Sequence, residues 1–193
     1  MNGASFADHP ILILVRGLPG SGKSYLTDAL RRELGERAEV LDPDAVDQNS
    51  GAYHAFVEEQ TREGVDPKLH LYRWSRAKAY TAIEAHKIVI WNQAFTNLDI
   101  FRKMIDRLET HAAEHGTTLP VVVVEVEADS ETAQRRIAER VHHGGHDVPK
   151  DTFARFITHY KSYANEGFHV VSVSGSAPVH ESVAAVLDAL HAL

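Results

Sequence analysis

The most specific chemistry in this 193-residue chain lies in eight consecutive residues, Gly17-Leu18-Pro19-Gly20-Ser21-Gly22-Lys23-Ser24. They fit the pattern G-x-x-x-x-G-K-(S/T) at every fixed position. Glycines at this spacing let successive backbone N–H groups curl around phosphate oxygens, and a following helix adds the partial positive charge of its N-terminus. Lys23 is placed to reach the β- and γ-phosphates, and the Ser24 hydroxyl to ligate Mg²⁺. Gly17 through Ser24 are therefore the candidate nucleotide-binding residues, with Lys23 also a candidate catalytic residue.

Several relatives of this loop are excluded by what is missing. A guanine-nucleotide switch needs D-x-x-G and N-K-x-D, and neither string occurs. The adenylate-kinase-like string D-G-(F/Y)-P-R is absent too. The glycines run G-x-x-G-x-G, which does not match the dinucleotide fingerprint G-x-G-x-x-G.

Away from the loop, Leu41-Asp42-Pro43-Asp44 ends a short apolar run. An acid there lies at the carboxyl edge of a sheet, across from the phosphates, where an attacking hydroxyl comes in line. Asp44 is the candidate base and Asp42 a candidate for the Mg²⁺ hydration shell. His111-Ala112-Ala113-Glu114-His115 spells H-x-x-E-H. It lies in the last turns of a polar helix, where histidine is a natural C-terminal residue, so it is read as helix end and not as a zinc-protease centre.

The elements that must hold these groups follow from periodicity. Ile11–Val15, Ala38–Leu41, Ile88–Trp91, Val121–Val126 and Phe168–Val173 are short apolar runs of strand length. Helical patterns separate them: Ser24–Leu34, most of Gly51–His86, Asn97–His115, Asp129–Arg140, Lys150–Tyr163 and Val179–Leu190. On the helix before Ile88, the residues Leu69, Tyr72, Tyr80 and Ile83 share a stripe expected to pack. Strands alternating with helices give an α/β chain with a parallel, doubly wound sheet of about five strands. Its ligands are expected at the carboxyl ends of the strands.

Composition sets the bounds. At 44% hydrophobic and 24% charged residues, the chain has the make-up of a globular protein and is expected to form one domain over 1–193, with 1–9 peripheral. There is no cysteine, which excludes thiolate catalysis and iron–sulfur chemistry and suits a cytoplasmic setting. No apolar run reaches the roughly 18 residues of a membrane span, so no membrane partner is expected. The formal charge of −7 disfavours sequence-independent nucleic-acid binding, although 13 histidines would weaken that bias at low pH.

Four features together resemble the zeta-toxin and polynucleotide-kinase branch of P-loop kinases: the 17–24 loop, Leu41-Asp42-Pro43-Asp44, the long helical segment before Ile88, and Gly144-Gly145-His146-Asp147-Val148-Pro149. The likeness runs from about Pro10 to Val173. It implies a three-layer P-loop NTPase fold of the kinase-like kind with an arginine-bearing lid over about 136–155. In that family an aspartate at the end of the second strand takes the proton from the acceptor hydroxyl, and Asp44 holds that position. Arg136 and Arg140, four apart on one helix face, become lid residues at the transferring phosphoryl group. Arg155 and His146 are further lid or substrate candidates. The family usually carries an acid after strand three, whereas here Asn92 and Gln93 follow Trp91 and are candidates for orienting the acceptor.

The resemblance implies a kinase that uses ATP, with GTP left open, and Mg²⁺. The γ-phosphoryl group would go to a hydroxyl of a small molecule or sugar nucleotide. Two readings compete: a 5′-hydroxyl polynucleotide kinase, and a nucleotide-binding module without turnover that serves regulation or pairs with an antitoxin-type protein.

Overall fold

The computed structural model describes residues 9–143 and 147–193. Five strands form one parallel sheet: β1 (Ile11–Arg16), β2 (Ala38–Leu41), β3 (Ile88–Asn92), β4 (Val121–Glu127) and β5 (His169–Ser174). Their spatial order is β2-β3-β1-β4-β5. From β1 the chain goes to the edge strand β2, returns to β3 between the two, and then crosses to β4 and β5 on the other side, so β1 sits at the switch point where α/β sheets bind ligands.

Among the described residues seven α-helices flank the sheet: α1 (Lys23–Leu34), α2 (Gly51–Arg62), α3 (His70–Glu84), α4 (Leu98–Glu114), α5 (Ser130–His142), α6 (Lys150–His159) and α7 (Val179–His191). Alternate residues of each strand face opposite layers. Ile11, Ile13 and Val15 of β1 pack with Ile88, Ile90, Val122 and Val124 against Leu26 and Leu30 of α1 and Val186 and Leu190 of α7. Leu12 and Leu14 pack with Val89, Trp91 and Val123 against Ala79 and Ile83 of α3 and Phe101, Ile105 and Leu108 of α4. Burial on both faces is why the strands read as unbroken apolar runs.

Local signals fix most helix ends. The side chains of Asn97 and Asp129 accept from the N–H groups of Ile100 and Thr132, capping α4 and α5. Gly35 and Gly116 take positive φ, 60° and 72°, where α1 and α4 stop.

Two expectations need correction. The helix expected over Lys150–Tyr163 ends at His159, because Tyr163 is drawn into the sheet edge: its N–H donates to the Glu125 carboxylate at 2.7 Å. The stripe on α3 is also different. Ile83 is buried, but Leu69 and Tyr72 are exposed, and the buried face is carried by His70, Ser75, Ala79, Ala82 and Ile83. Among the described residues no helix is long and apolar enough to cross a membrane.

Candidate active site

β1 runs straight into the glycine loop, and α1 begins at Lys23 with Gly22 as its N-cap in a left-handed conformation, φ 104°. The loop has little room around it. A Cβ at Gly17 would lie 2.5 Å from the Val126 carbonyl oxygen, and one at Gly20, where φ is 79°, would strike the Ala133 carbonyl. Glycine at these positions lets β4 and α5 close directly on the loop. A Cβ at Gly175, just after β5, would overlap the Ser21 carbonyl oxygen, so the β5–α7 turn belongs to the same wall.

Lys23 donates from Nζ to the Leu18 carbonyl at 2.8 Å, spanning the loop. Burial pushes its ammonium down to about 8, with Asp42 and Asp44 acting the other way and Arg140 adding to the fall. The free ammonium is therefore half lost near pH 8, and a bound polyphosphate would favour the charged form. ATP affinity should accordingly fall as the pH rises through about 8. Calorimetric titrations at a series of pH values check this, and a flat profile would contradict it.

Facing the loop, Asn92 ends β3 beneath Ser24 and Asp42. Its Nδ2 donates to Ser24 Oγ at 3.2 Å and to Asp42 Oδ2 at 2.7 Å. β3 thus ends in an amide, and that amide ties Ser24 to the Asp42 carboxylate just after β2. The Asn92 Oδ1 is buried without a hydrogen-bond partner among the described residues. A hydrated divalent cation fits this set: a hydroxyl, a carboxylate, and an orphaned amide oxygen able to accept from a metal-bound water. Burial raises the Asp42 carboxyl above its ordinary range, while the Asp44 N–H and Asn92 hold it down. Asp44 stands exposed at the same edge, its N–H bonded to Asp42 Oδ1 at 3.0 Å.

The remaining candidates lie in different places. Arg136 spans the back of the loop, donating to the Ser21 carbonyl at 3.3 Å and the Gly175 carbonyl at 2.9 Å. Arg140 is exposed, and its charge reaches Lys23. Arg155 bonds to Thr152 on its own helix at 3.2 Å. Gln93 accepts from the Trp91 indole at 3.2 Å. His146 lies outside the described residues. Beside the loop, Leu18, Glu127, Asp129, Tyr160, Ser174 and Ser176 help line a cavity of about 550 Å³.

Below the loop lies a group not foreseen from the sequence. Arg16, the last residue of β1, pairs with Glu125 on β4, and both are buried. Arg16 also donates to the Phe95 carbonyl at 3.1 Å and lies 3.5 Å from the Tyr163 ring centroid and 4.3 Å from that of Tyr160. Tyr163 closes the set through its hydroxyl, 2.8 Å from the Phe95 carbonyl. Burial pushes the Tyr160 hydroxyl up to about 12. The signal was present in the sequence: Glu125 is the one charge inside the apolar run Val121–Val126 and Arg16 directly follows the apolar run Ile11–Val15, places where isolated charge is costly unless paired.

The AAA domain family AAA_33 matches residues 12–162. No curated protein matches the chain in sequence. Among solved structures, the chain is similar to a gluconokinase from Sinorhizobium meliloti 1021, with 19% identity and a TM-score of 0.58 over 95% of this chain and 93% of the other. It is similar to a deoxyadenosine kinase from M. mycoides with bound dATP, at 14% identity and a TM-score of 0.55, covering 93% of this chain and 99% of the other. A component of the Pnkp1/Rnl/Hen1 RNA repair complex matches 87% of the chain with 49% of its own length, at 16% identity and a TM-score of 0.58. Likeness at this level of identity establishes a shared fold, that of kinase-like P-loop proteins.

Proposed function

The chain belongs to the AAA_33 family of AAA domains, and from that premise we propose that it is an ATP-dependent, Mg²⁺-using phosphotransferase acting on a hydroxyl of a small molecule or sugar nucleotide. The observation that carries the reading is the meeting of the Lys23–Ser24 end of the phosphate loop with Asp42, Asn92 and Asp44 at one sheet edge. A structural loop with glycines merely for tight packing would have no need of a half-buried lysine facing two carboxylates.

In this reading the loop amides and Lys23 hold the triphosphate. Ser24 and Asp42, steadied by Asn92, would hold Mg²⁺, which neutralises charge on the β- and γ-phosphates when bound. Asp44 accepts the proton of the acceptor hydroxyl as that oxygen bonds to the γ-phosphorus. The bond from phosphorus to the β–γ bridging oxygen breaks, and ADP leaves with the electron pair. Arg140 approaches from α5 to offset charge on the transferring group, within a lid spanning about 136–155. Arg136, in the bonds described, braces the loop against the β5–α7 turn. The sugar-nucleotide class of acceptor rests on the family resemblance.

The test is ATP consumption against sugar nucleotides, nucleosides and 5′-hydroxyl oligonucleotides, with Lys23→Ala as control. The expected result is a phosphorylated small acceptor formed at a rate insensitive to moderate salt. ATP affinity should be at least about tenfold weaker in the Lys23→Ala variant, given the roughly 1.4 kcal/mol that a tenfold change represents. Salt-sensitive phosphorylation of oligonucleotides alone would replace this reading with the polynucleotide-kinase one. ATP binding without any product would favour a regulatory module.

A further inference from the structure

At the amino edge of the sheet, opposite the phosphate loop, α3 and α4 end side by side before feeding into β3 and β4. There Glu84 of α3 meets both histidines of the His111–His115 pair on and just beyond α4. We propose that Glu84, His111 and His115 form a zinc-binding site that clamps the ends of α3 and α4. Glu114, the acid that completes the H-x-x-E-H string, takes no part; the third ligand comes from another helix.

The geometry favours a metal for three reasons. First, the candidate ligand atoms all lie within 4.8 Å of one another. Ligands on a tetrahedral zinc, each about 2.0–2.1 Å from the ion, sit roughly 3.3 Å apart. The observed separations, 2.9 Å from His111 Nε2 to Glu84 Oε1 and 3.7 Å from His115 Nε2 to the same oxygen, bracket that value. Small side-chain rotations suffice to admit the ion.

Second, the outer bonds needed to aim the rings are already made. His115 Nδ1 lies 2.8 Å from the His111 carbonyl and donates to it, which leaves Nε2, on the Glu84 side, as the nitrogen that would bind a metal. The His111 ring is held by stacking on Tyr80, with centroids 4.0 Å apart. Third, the donor set itself selects the metal. Two imidazoles and one carboxylate prefer zinc or a neighbouring transition metal to Mg²⁺, which seeks an all-oxygen shell. The site leaves a fourth position for water.

Calorimetric titration of the metal-free full-length chain with ZnCl₂, in buffer holding millimolar Mg²⁺, tests the site. The expected result is one zinc per chain with micromolar or tighter affinity. His111→Ala and His115→Ala should each weaken it about tenfold or more. ZnCl₂ should raise the thermal midpoint of the wild type, and that of His115→Ala by distinctly less at the same concentration. Because His115 is exposed, that variant should fold, which its circular dichroism in the absence of metal checks. Absence of saturable binding overturns the proposal. So does binding that survives both histidine substitutions, which would assign the metal to other histidines. Failure here would leave the phosphotransferase reading untouched, since the two sites lie at opposite edges of the sheet.

Discussion

Asp44→Asn should abolish phosphoryl transfer while leaving ATP binding nearly intact. General-base groups contribute about 10²–10⁴ in rate, so kcat is expected to fall by that factor, equivalent to roughly 3–5 kcal/mol of barrier. Asparagine has the shape of aspartate, and the bond from residue 44 to Asp42 Oδ1 is made by the backbone N–H, so the turn is retained. The phosphate loop, Ser24 and Lys23 are unchanged. One secondary effect has a definite sign. Asp44 helps keep the Lys23 ammonium charged, so in the variant the fall of ATP affinity with rising pH should set in at a lower pH than in the wild type. Single-turnover transfer measured beside calorimetric ATP affinity separates the two effects. Wild-type turnover in the variant would remove Asp44 from the mechanism.

The largest effect on stability is expected at Glu125→Gln. The substitution keeps the shape of the side chain and an oxygen to accept from the Tyr163 N–H, and removes only the charge facing Arg16. Arg16 is fully buried, with its guanidinium enclosed by two tyrosine rings and the Phe95 carbonyl. A buried cation deprived of its partner costs about 3–5 kcal/mol. At about 2–4 °C per kcal/mol for a chain of this size, the thermal midpoint should drop by roughly 6–20 °C. The double variant Arg16→Met, Glu125→Leu should recover much of that loss, because well-packed apolar replacements of buried ion pairs are often neutral or stabilising. Urea melts of the three proteins provide the check, and a Glu125→Gln loss below about 1 kcal/mol would show that the pair is solvated in solution. Since Arg16 is followed directly by Gly17, this pair also anchors the root of the phosphate loop.

Features whose causes lie within a few residues were legible in the chain alone. The glycine spacing of 17–24 announces a phosphate cradle because Gly20 and Gly22 are needed locally, for their positive φ, and Gly17 leaves room for the Ser21 side chain as well as for the Val126 carbonyl brought up by β4. The helix caps at Asn97 and Asp129 and the stops at Gly35 and Gly116 are local for the same reason. Unbroken apolar strands between amphipathic helices were enough for a parallel α/β sheet.

Tertiary structure decided the contacts that join distant parts of the chain. Asn92 reaches Asp42 and Ser24 only because β3 lies between β2 and β1, an order no local periodicity encodes. Arg16 and Glu125 are partners because β1 and β4 pair in one particular register, across 109 residues of chain. That pair in turn pulls Tyr160 and Tyr163 out of the helix their spacing suggested. Glu84 joins His111 and His115 for a similar reason, through the packing of α3 on α4, although Glu114 is the acid next to them in sequence. Charged and amide groups in such places are cheap only when a distant partner satisfies them, and the strand order selects that partner.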